Sequence, residues 1–452
     1  MNEVFAKYKL YLKRLLIIAV PMILSQLINQ LQMLIDRIFL GQSNSLYMSV
    51  LGNATFPIWT TMSVCFSIGT GASILISQGV GANDRKRIAE YAGALLKYNS
   101  IMPFMLFLFW FFCSKPVFKV MGVSDNLIPM CIDYARYYSP IFLLTGFGSA
   151  FIVIFQSSNY TKPLALYSFI RSALNVFFDW VLIFGKLGFP ALGVKGAALG
   201  TTLAEYIGAI YFCYAFVVQP LATKPKLKEI KLASLRSYLH SARLGINTAL
   251  EDFLWNIGNL VLIRILNSIN ELAAGIYSII FGIEVLAVVV VGSLGSGAMT
   301  LSSEATGKQD LQQYKGVAKC AYALCLIVAV GTLVSGVLFP EQIISIFTKD
   351  TAIITTSGIY LMMTGINLFS KSANITVGNC IRGSGDTKWM FMTQIFGTVF
   401  VISTACLFVF IFKLGITGVF LAVLVDEGVR GAINFFRFLW ICNSKLFNKG
   451  DK

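Results

Sequence analysis

Charge is scarce in this chain. Of 452 residues only 13% are Asp, Glu, Lys or Arg, about half the share usual in a soluble domain. Histidine occurs once, as His240, and none of the nine cysteines forms a C-x-x-C pair. Those shortages exclude a zinc site of the usual Cys/His kind. The cysteines lie mostly inside apolar stretches, where a small buried hydrophobe is expected and a disulfide is not. With one histidine and no H-E-x-x-H, the residues for a membrane-embedded enzyme are missing, and we read the chain as a non-enzyme. Short segments of alternating polarity are absent too, which excludes a β-barrel.

Apolar residues fill the space. Mean hydropathy is +0.74, and apolar runs of roughly 20 residues or more recur from end to end. Each is long enough to cross a bilayer as a helix, so the fold class expected is an all-α integral membrane protein. The net charge of +15 does not indicate nucleic acid, because Lys and Arg cluster in short connectors, where they orient membrane helices. Lys7, Lys9, Lys13 and Arg14 precede the first apolar stretch in the manner of a signal peptide. That stretch runs on for about 26 residues without a small-residue cleavage motif, and is read as the first span.

Twelve spans are expected, at roughly 15–40, 49–78, 88–112, 130–157, 162–186, 191–219, 236–268, 271–303, 313–339, 352–382, 387–413 and 415–442. An even number places both termini on one side. The connectors on that side hold Lys7, Lys9, Lys13, Arg14, Arg85, Lys86, Arg87, Lys162, Lys224, Lys226, Lys228, Lys231, Arg236, Lys308, Lys315, Lys319, Arg382, Lys388, Lys445, Lys449 and Lys452. The other side holds Lys115, Lys119, Lys186, Lys195, Lys349 and Lys413, a deficit of more than threefold. Both termini are therefore expected in the cytoplasm, with the protein in the inner (cytoplasmic) membrane. His240, at the start of a span, is expected at the interface.

The two halves repeat. "GTGAS" at 69–73 matches "GSGAM" at 295–299, "GANDRKR" at 81 matches "GKQDLQQ" at 307, and "SNYTK" at 158 matches "SGDTK" at 384. All three share a shift of 226, half the chain. "LGVKGAALGTTLAE" at 192–205 matches "LGITGVFLAVLVDE" at 414–427 at a shift of 222. Six helices per half predict two six-helix bundles in the same orientation, related by a pseudo-two-fold axis along the membrane normal. The expected boundaries are 1–219 for an N-lobe, 220–235 for a basic cytoplasmic linker and 236–452 for a C-lobe. Such a plan suits alternating access. The glycines of "GTGAS" and "GSGAM" are expected to allow close helix packing, and Pro21 a kink.

Several motifs occur in order along nearly the whole chain: "PMILSQ" (21–26), "LIDRIFLG" (34–41), "SQGVGANDRKRI" (77–88), "LNVFFDWVLIF" (174–184), "LGVKGAALGTT" (192–202) and "IRGSGDTK" (381–388). With these the chain resembles the multidrug and toxic compound extrusion (MATE) family. The resemblance implies secondary active efflux of organic, often cationic, small molecules, with inward H⁺ or Na⁺ as the coupling ion and no other cofactor. No G-x-x-x-x-G-K-[ST] is present, so nothing in the chain suggests ATP as the fuel. The partners expected are these substrates and the lipid bilayer, for a monomer. The alternative is a flippase for a lipid-linked glycan precursor, which would favour fourteen spans and a strongly basic cavity.

Ionisable groups within a bilayer are costly, at about 2.5–3.5 kcal/mol each, and mark cavities or partners. Asp36 lies near the outer end of the first span. Asn175 and Asp179, four residues apart, share one helix face. Rise per residue places Asp36 and Asp179 within roughly 5 Å of one depth. Two approaching carboxylates need a shared proton or a cation. The resemblance assigns Asp36, Asn175, Asp179 and Thr201 to a cation or proton site, with Asn29 nearby, and Na⁺ is the metal that Asp36, Asn175 and Asp179 would take. At the repeat shift these positions become Leu262, Val401 and Ala405, so the site is expected in one lobe only. In the other, Glu251, Asp252 and Lys371 are candidates to line a cavity, and equal depth suggests a Glu251–Lys371 ion pair. Relatives carry an Asp near Lys371, so a second cation site is not implied. Glu205 and Glu427 are repeat equivalents, for which a structural role is expected. Arg171 and Glu284 have no partner visible in the sequence.

Overall fold

A computed structural model describes residues 2–269, 272–348, 350–444 and 446–447. Lys349, Lys445, Lys449 and Lys452 of the charge reading lie outside the described residues. Among the described residues there are helices and turns but no strand. In chain order the α-helices are α1 (Asn2–Ser43), α2 (Ser45–Gly81), α3 (Arg85–Tyr98), α4 (Ile101–Phe112), α5 (Ser114–Val120), α6 (Ile128–Tyr138), α7 (Phe142–Ser157), α8 (Lys162–Phe184) and α9 (Val194–Val218). They continue with α10 (Leu227–Leu232), α11 (Leu235–Asn267), α12 (Ala273–Lys308), α13 (Leu311–Leu338), α14 (Pro340–Ser345), α15 (Thr351–Gly383), α16 (Thr387–Cys406) and α17 (Gly415–Cys442).

Each of the twelve expected spans is occupied by helix. Ten helical stretches among the described residues are long and apolar enough to cross a membrane. The remaining two spans are α11 and α17. They fall short in apolarity because they carry charge, including Glu251 and Asp252 on α11 and Asp426, Glu427 and Arg430 on α17. Several helices are longer than a bilayer requires. α1 has 42 residues and α2 has 37, so at ~1.5 Å per residue each is well over the ~30 Å apolar core. Two expected spans are interrupted. Residues 139–141, with Pro140 inside, form a 3₁₀ turn between α6 and α7, and the chain breaks at Asn99 and Ser100 between α3 and α4.

The repeat extends to individual backbone angles. Asn83 and Gln309, 226 apart, both have positive φ, at 54° and 59°. Each precedes an aspartate, Asp84 or Asp310, whose side chain accepts from the backbone N–H of Arg87 or Gln313 and caps the next helix. Asn159 and Gly385, and Leu187 and Lys413, are two more positive-φ pairs at the same shift. Gly193 and Gly415 (φ 53° and 57°) keep the shift of 222. Two cores follow the same register. Leu40, Val50, Ala54, Phe118 and Ile183 are buried in one, and Leu266, Ile276, Ile280, Ile344 and Val409, each 226 later, in the other.

The chain forms two compact units, one of residues 21–76 and 84–246, the other of residues 1–20, 77–83 and 247–452. Their limits depart from those expected of the sequence. The first 20 residues and the end of α2 associate with the C-terminal half, and 220–246 with the N-terminal half. In the first unit the basic connector is folded onto α3: Arg85 pairs with Glu229 of α10 at 3.1 Å, and Lys97 donates to the Lys231 carbonyl at 2.7 Å. His240 hydrogen-bonds the Tyr91 hydroxyl at 2.9 Å on the same surface. In the second unit α2 and α12 cross at repeat-equivalent glycines. A Cβ on Gly81 would overlap the Glu304 carbonyl, and one on Gly307 would overlap the Gln78 carbonyl.

Candidate coupling site

Three helices of the first unit bring the polar residues together. On α8, Arg171, Asn175 and Asp179 recur every fourth residue and form one row. On α1, Asn29, Gln32 and Asp36 form another, and on α9 Thr201 and Glu205 a third. Asp36 stands beside Asp179 and Gln32, with the two carboxylates close enough to interact. Asn175 donates through Nδ2 to Asp179 Oδ1 at 3.4 Å and to Thr201 Oγ1 at 3.1 Å. Thr201 in turn donates to the Ala197 carbonyl at 2.9 Å, one helical turn back. Asn175 and Asp179 are completely buried. The structure therefore brings Asp36, Asn175, Asp179 and Thr201 together, and an ion pair between Asp36 and its neighbour Arg37, which is exposed, is not among those the described residues form.

Gly200 makes the approach possible: any Cβ there would overlap Asp179 Oδ1. The glycine's only signal in the sequence is its place beside Thr201 in "LGTT". Four buried oxygens in this cluster accept no hydrogen bond: Asp36 Oδ1, Asp179 Oδ2, Asn175 Oδ1 and Gln32 Oε1. Oxygens so placed call for a proton, water or a hard cation. The donor set, two carboxylates with amide oxygens and a hydroxyl, fits Na⁺ or a shared proton. It does not fit a zinc-type metal, as no group of three or more His, Cys, Asp or Glu is assembled among the described residues.

Asn29 lies deeper than the pair on the same row of α1. Its Oδ1 accepts from Arg171 Nη2, two turns below Asp36. Arg171 also reaches Glu205 Oε2 through Nη1 at 3.3 Å, and Tyr167 donates its hydroxyl to the same carboxylate. One step further along, Ser25 of α1 and Ser168 of α8 are hydrogen-bonded at 2.5 Å. The polar ladder thus runs from the carboxylate pair down the seam of α1 with α8. Its signal in the sequence was the four-residue spacing of 171, 175 and 179, which had been read only for the last two.

Among the described residues the second unit has no counterpart of the pair. Leu262, Val401 and Ala405 are buried in its hydrophobic core, as the repeat shift predicted. Its charges form a different network. The expected Glu251–Lys371 ion pair is not made: Glu251 pairs with Arg382, while Lys371 Nζ lies 2.5 Å from Glu284 and 3.9 Å from Glu427. Depth counted from the helix ends was the criterion that failed: Glu251 meets the cation nearer the end of α15, on the same face as Lys371. Lys371 and Arg382 lie three turns apart on α15, and α12, which carries Glu284, packs against that helix. Glu251, Asp252 and Lys371 do line one cavity of about 310 Å³, with Trp255, Glu284 and Arg430. Glu427, expected to be structural, is held by Arg430 at 3.2 Å and by Asn374 at 2.9 Å.

These features define a polytopic helical membrane protein with an internal repeat and a buried carboxylate pair in its first unit. The sequence profile of the MatE family matches residues 21–181 and again 248–407, and the chain belongs to that family of multi-pass membrane transporters. The double match reproduces the repeat. The chain is 26% identical over 434 residues to a probable multidrug resistance protein NorM of Thermotoga maritima, covering 94% of this chain and 92% of the relative. It is 26% identical over 412 residues to the uncharacterized transporter YisQ of Bacillus subtilis, covering 90% of each. A solved outward-facing multidrug resistance MATE transporter of the MOP superfamily shares the fold at a TM-score of 0.87, with 18% identity and 96% of each chain covered. A MOP superfamily transporter from Pyrococcus furiosus, described as having a binding pocket of reverse polarity, gives 0.86 at the same identity and coverage.

Proposed function

We propose that the protein is a secondary active antiporter that exports small organic compounds, with inward movement of H⁺ or Na⁺ through the Asp36–Asp179 site as the driving step. The observation that carries this reading is the contact of two carboxylates in the interior of a membrane bundle, with four buried oxygens left without donors. Deprotonated and empty, the pair would place two like charges together in a poor dielectric, which is strongly unfavourable. Binding of a proton or Na⁺ removes that repulsion and draws α1 towards α8; release reverses it. Because Asp36 is on α1 and Asp179 and Asn175 are on α8, occupancy of the site acts directly on the packing between two helices. Such a bias, transmitted to alternating access, is what coupling requires.

The family and the drug-resistance names of the relatives support efflux of drug-like compounds over flipping of a glycan lipid. The charge asymmetry of the connectors supports cytoplasmic termini. The experiment is efflux of ethidium from proteoliposomes under separately imposed pH and Na⁺ gradients. Wild type is expected to respond to one of them and Asp36→Asn to neither. Full gradient-driven efflux by Asp36→Asn would overturn the coupling role.

A further inference from the structure

The two units carry a buried guanidinium beside the same glutamate, but deliver it from opposite helices. In the first unit Arg171 of α8 pairs with Glu205 of α9. The α9 position one turn beyond Glu205 is Gly208, where a Cβ would stand 3.1 Å from the Tyr167 ring and 3.3 Å from Arg171 Cβ. In the second unit the equivalent of Arg171 is Gly397 on α16, and the equivalent of Gly208 is Arg430 on α17. Arg430 pairs with Glu427, the equivalent of Glu205, and a Cβ on Gly397 would lie 2.6 Å from Arg430 Nε. Arginine and glycine have exchanged places across one helix–helix contact, and the ion pair survives in both.

Delivery from α8 adds something that delivery from α17 does not. Arg171 stands in the same row as Asn175 and Asp179, and its second arm reaches Asn29 on α1. It is close enough to attract the Asp36 carboxylate electrostatically. Its Nε is buried without a partner, so one donor remains to be offered. In the second unit, where apolar residues replace the carboxylates, the position equivalent to Asn29 is Trp255, which has no amide to accept from an arginine.

We propose that Arg171 is a positioning residue and resident counter-charge for the Asp36–Asp179 site, weakening its hold on the incoming cation so that the cation is released. This rests on the coupling reading above. A site that must discharge its ion in every cycle cannot bind it too tightly, and a fixed positive charge in the same low-dielectric bundle lowers cation affinity without occupying the site. Facing this guanidinium are Tyr138 from α6, Tyr167 from α8, Glu205 from α9 and Asp36 from α1, while Tyr134 of α6 stands beside the two carboxylates. It is the one cation among them.

The test measures ethidium efflux in proteoliposomes against the concentration of the driving cation. Arg171→Gln is expected to lower the half-saturating concentration about tenfold and to reduce the maximal rate, while Arg171→Lys stays near wild type. The exchange variant Arg171→Gly/Gly208→Arg, made with Tyr167→Thr to match Thr393 and clear the ring beside Gly208, keeps an arginine for Glu205 as in the second unit. It takes the charge off the α8 row and away from Asn29 while leaving Glu205 paired, and is expected to show a gain in affinity in the same direction as Arg171→Gln but smaller. A purely structural arginine would reduce rate without tightening cation binding. Wild-type affinity in a folded exchange variant would overturn the proposal and leave the coupling reading intact. Wild-type efflux indifferent to both gradients would overturn the two together.

Discussion

Asp179 and Gly200 interlock: the carboxylate of one occupies the space that a side chain on the other would need. This places α8 and α9 at a separation set by a glycine beside Thr201, and it holds Asp179 in the reach of Asp36. Gly200→Ala is therefore expected to displace the carboxylate and reduce gradient-driven efflux by more than tenfold. Overpacking of this kind also costs about 1–3 kcal/mol of stability. Gly52→Ala, at a glycine of the same unit with open space around it, is the control and should transport normally. Normal efflux by Gly200→Ala would show that the position of Asp179 is not critical.

The partner of Lys371 can be decided by a double-mutant cycle. Lys371→Met leaves Glu284 buried without its cation and should destabilise the protein by about 3–5 kcal/mol. Adding Glu284→Gln should recover part of that loss, because the pair is coupled. Adding Glu251→Gln to Lys371→Met should recover nothing, since Glu251 is held by Arg382. The measurement is the thermal midpoint of the purified protein in detergent. Equal recovery by the two glutamine variants would return Glu251 as the partner.

Repeat-equivalent positions should respond alike. Gly81→Ala and Gly307→Ala each force a methyl onto a backbone carbonyl at the crossing of α2 with α12. Backbone cannot yield as a side chain can, so both should lower the thermal midpoint sharply and to a similar degree. Asp84→Ala and Asp310→Ala remove equivalent caps and should each cost about 1 kcal/mol. A large loss in one member of a pair and none in the other would contradict the repeat as a determinant of packing.

The helices and the repeat were legible because they rest on local and periodic information. Apolar runs, Asp caps and left-handed residues act within a few positions, and the same pattern was written twice. The carboxylate pair was legible for a related reason: a charge in an apolar run has no local satisfaction and must find a partner at its own depth, which helix rise supplies. Rotation about the helix axis and the exact crossing of helices are not local. That is why Glu251, placed by residue count at the depth of Lys371, was assigned the wrong cation, and why Arg171 as the partner of Asn29 was not legible.

The sequence by itself determined that this is an all-helical membrane protein of two repeated halves, with Asp36 and Asp179 unmatched by acids at the equivalent positions of the second half. Those facts follow from transfer energy, length and periodicity, all readable residue by residue. Only the tertiary structure decided which charges touch. Arg171 looked unexplained in the chain because its reason lies on two other helices: an amide on α1 and a carboxylate on α9, with Gly208 making room. Electrostatic partnership inside a bundle depends on distances of a few ångströms between helices far apart in sequence, and only packing sets those distances.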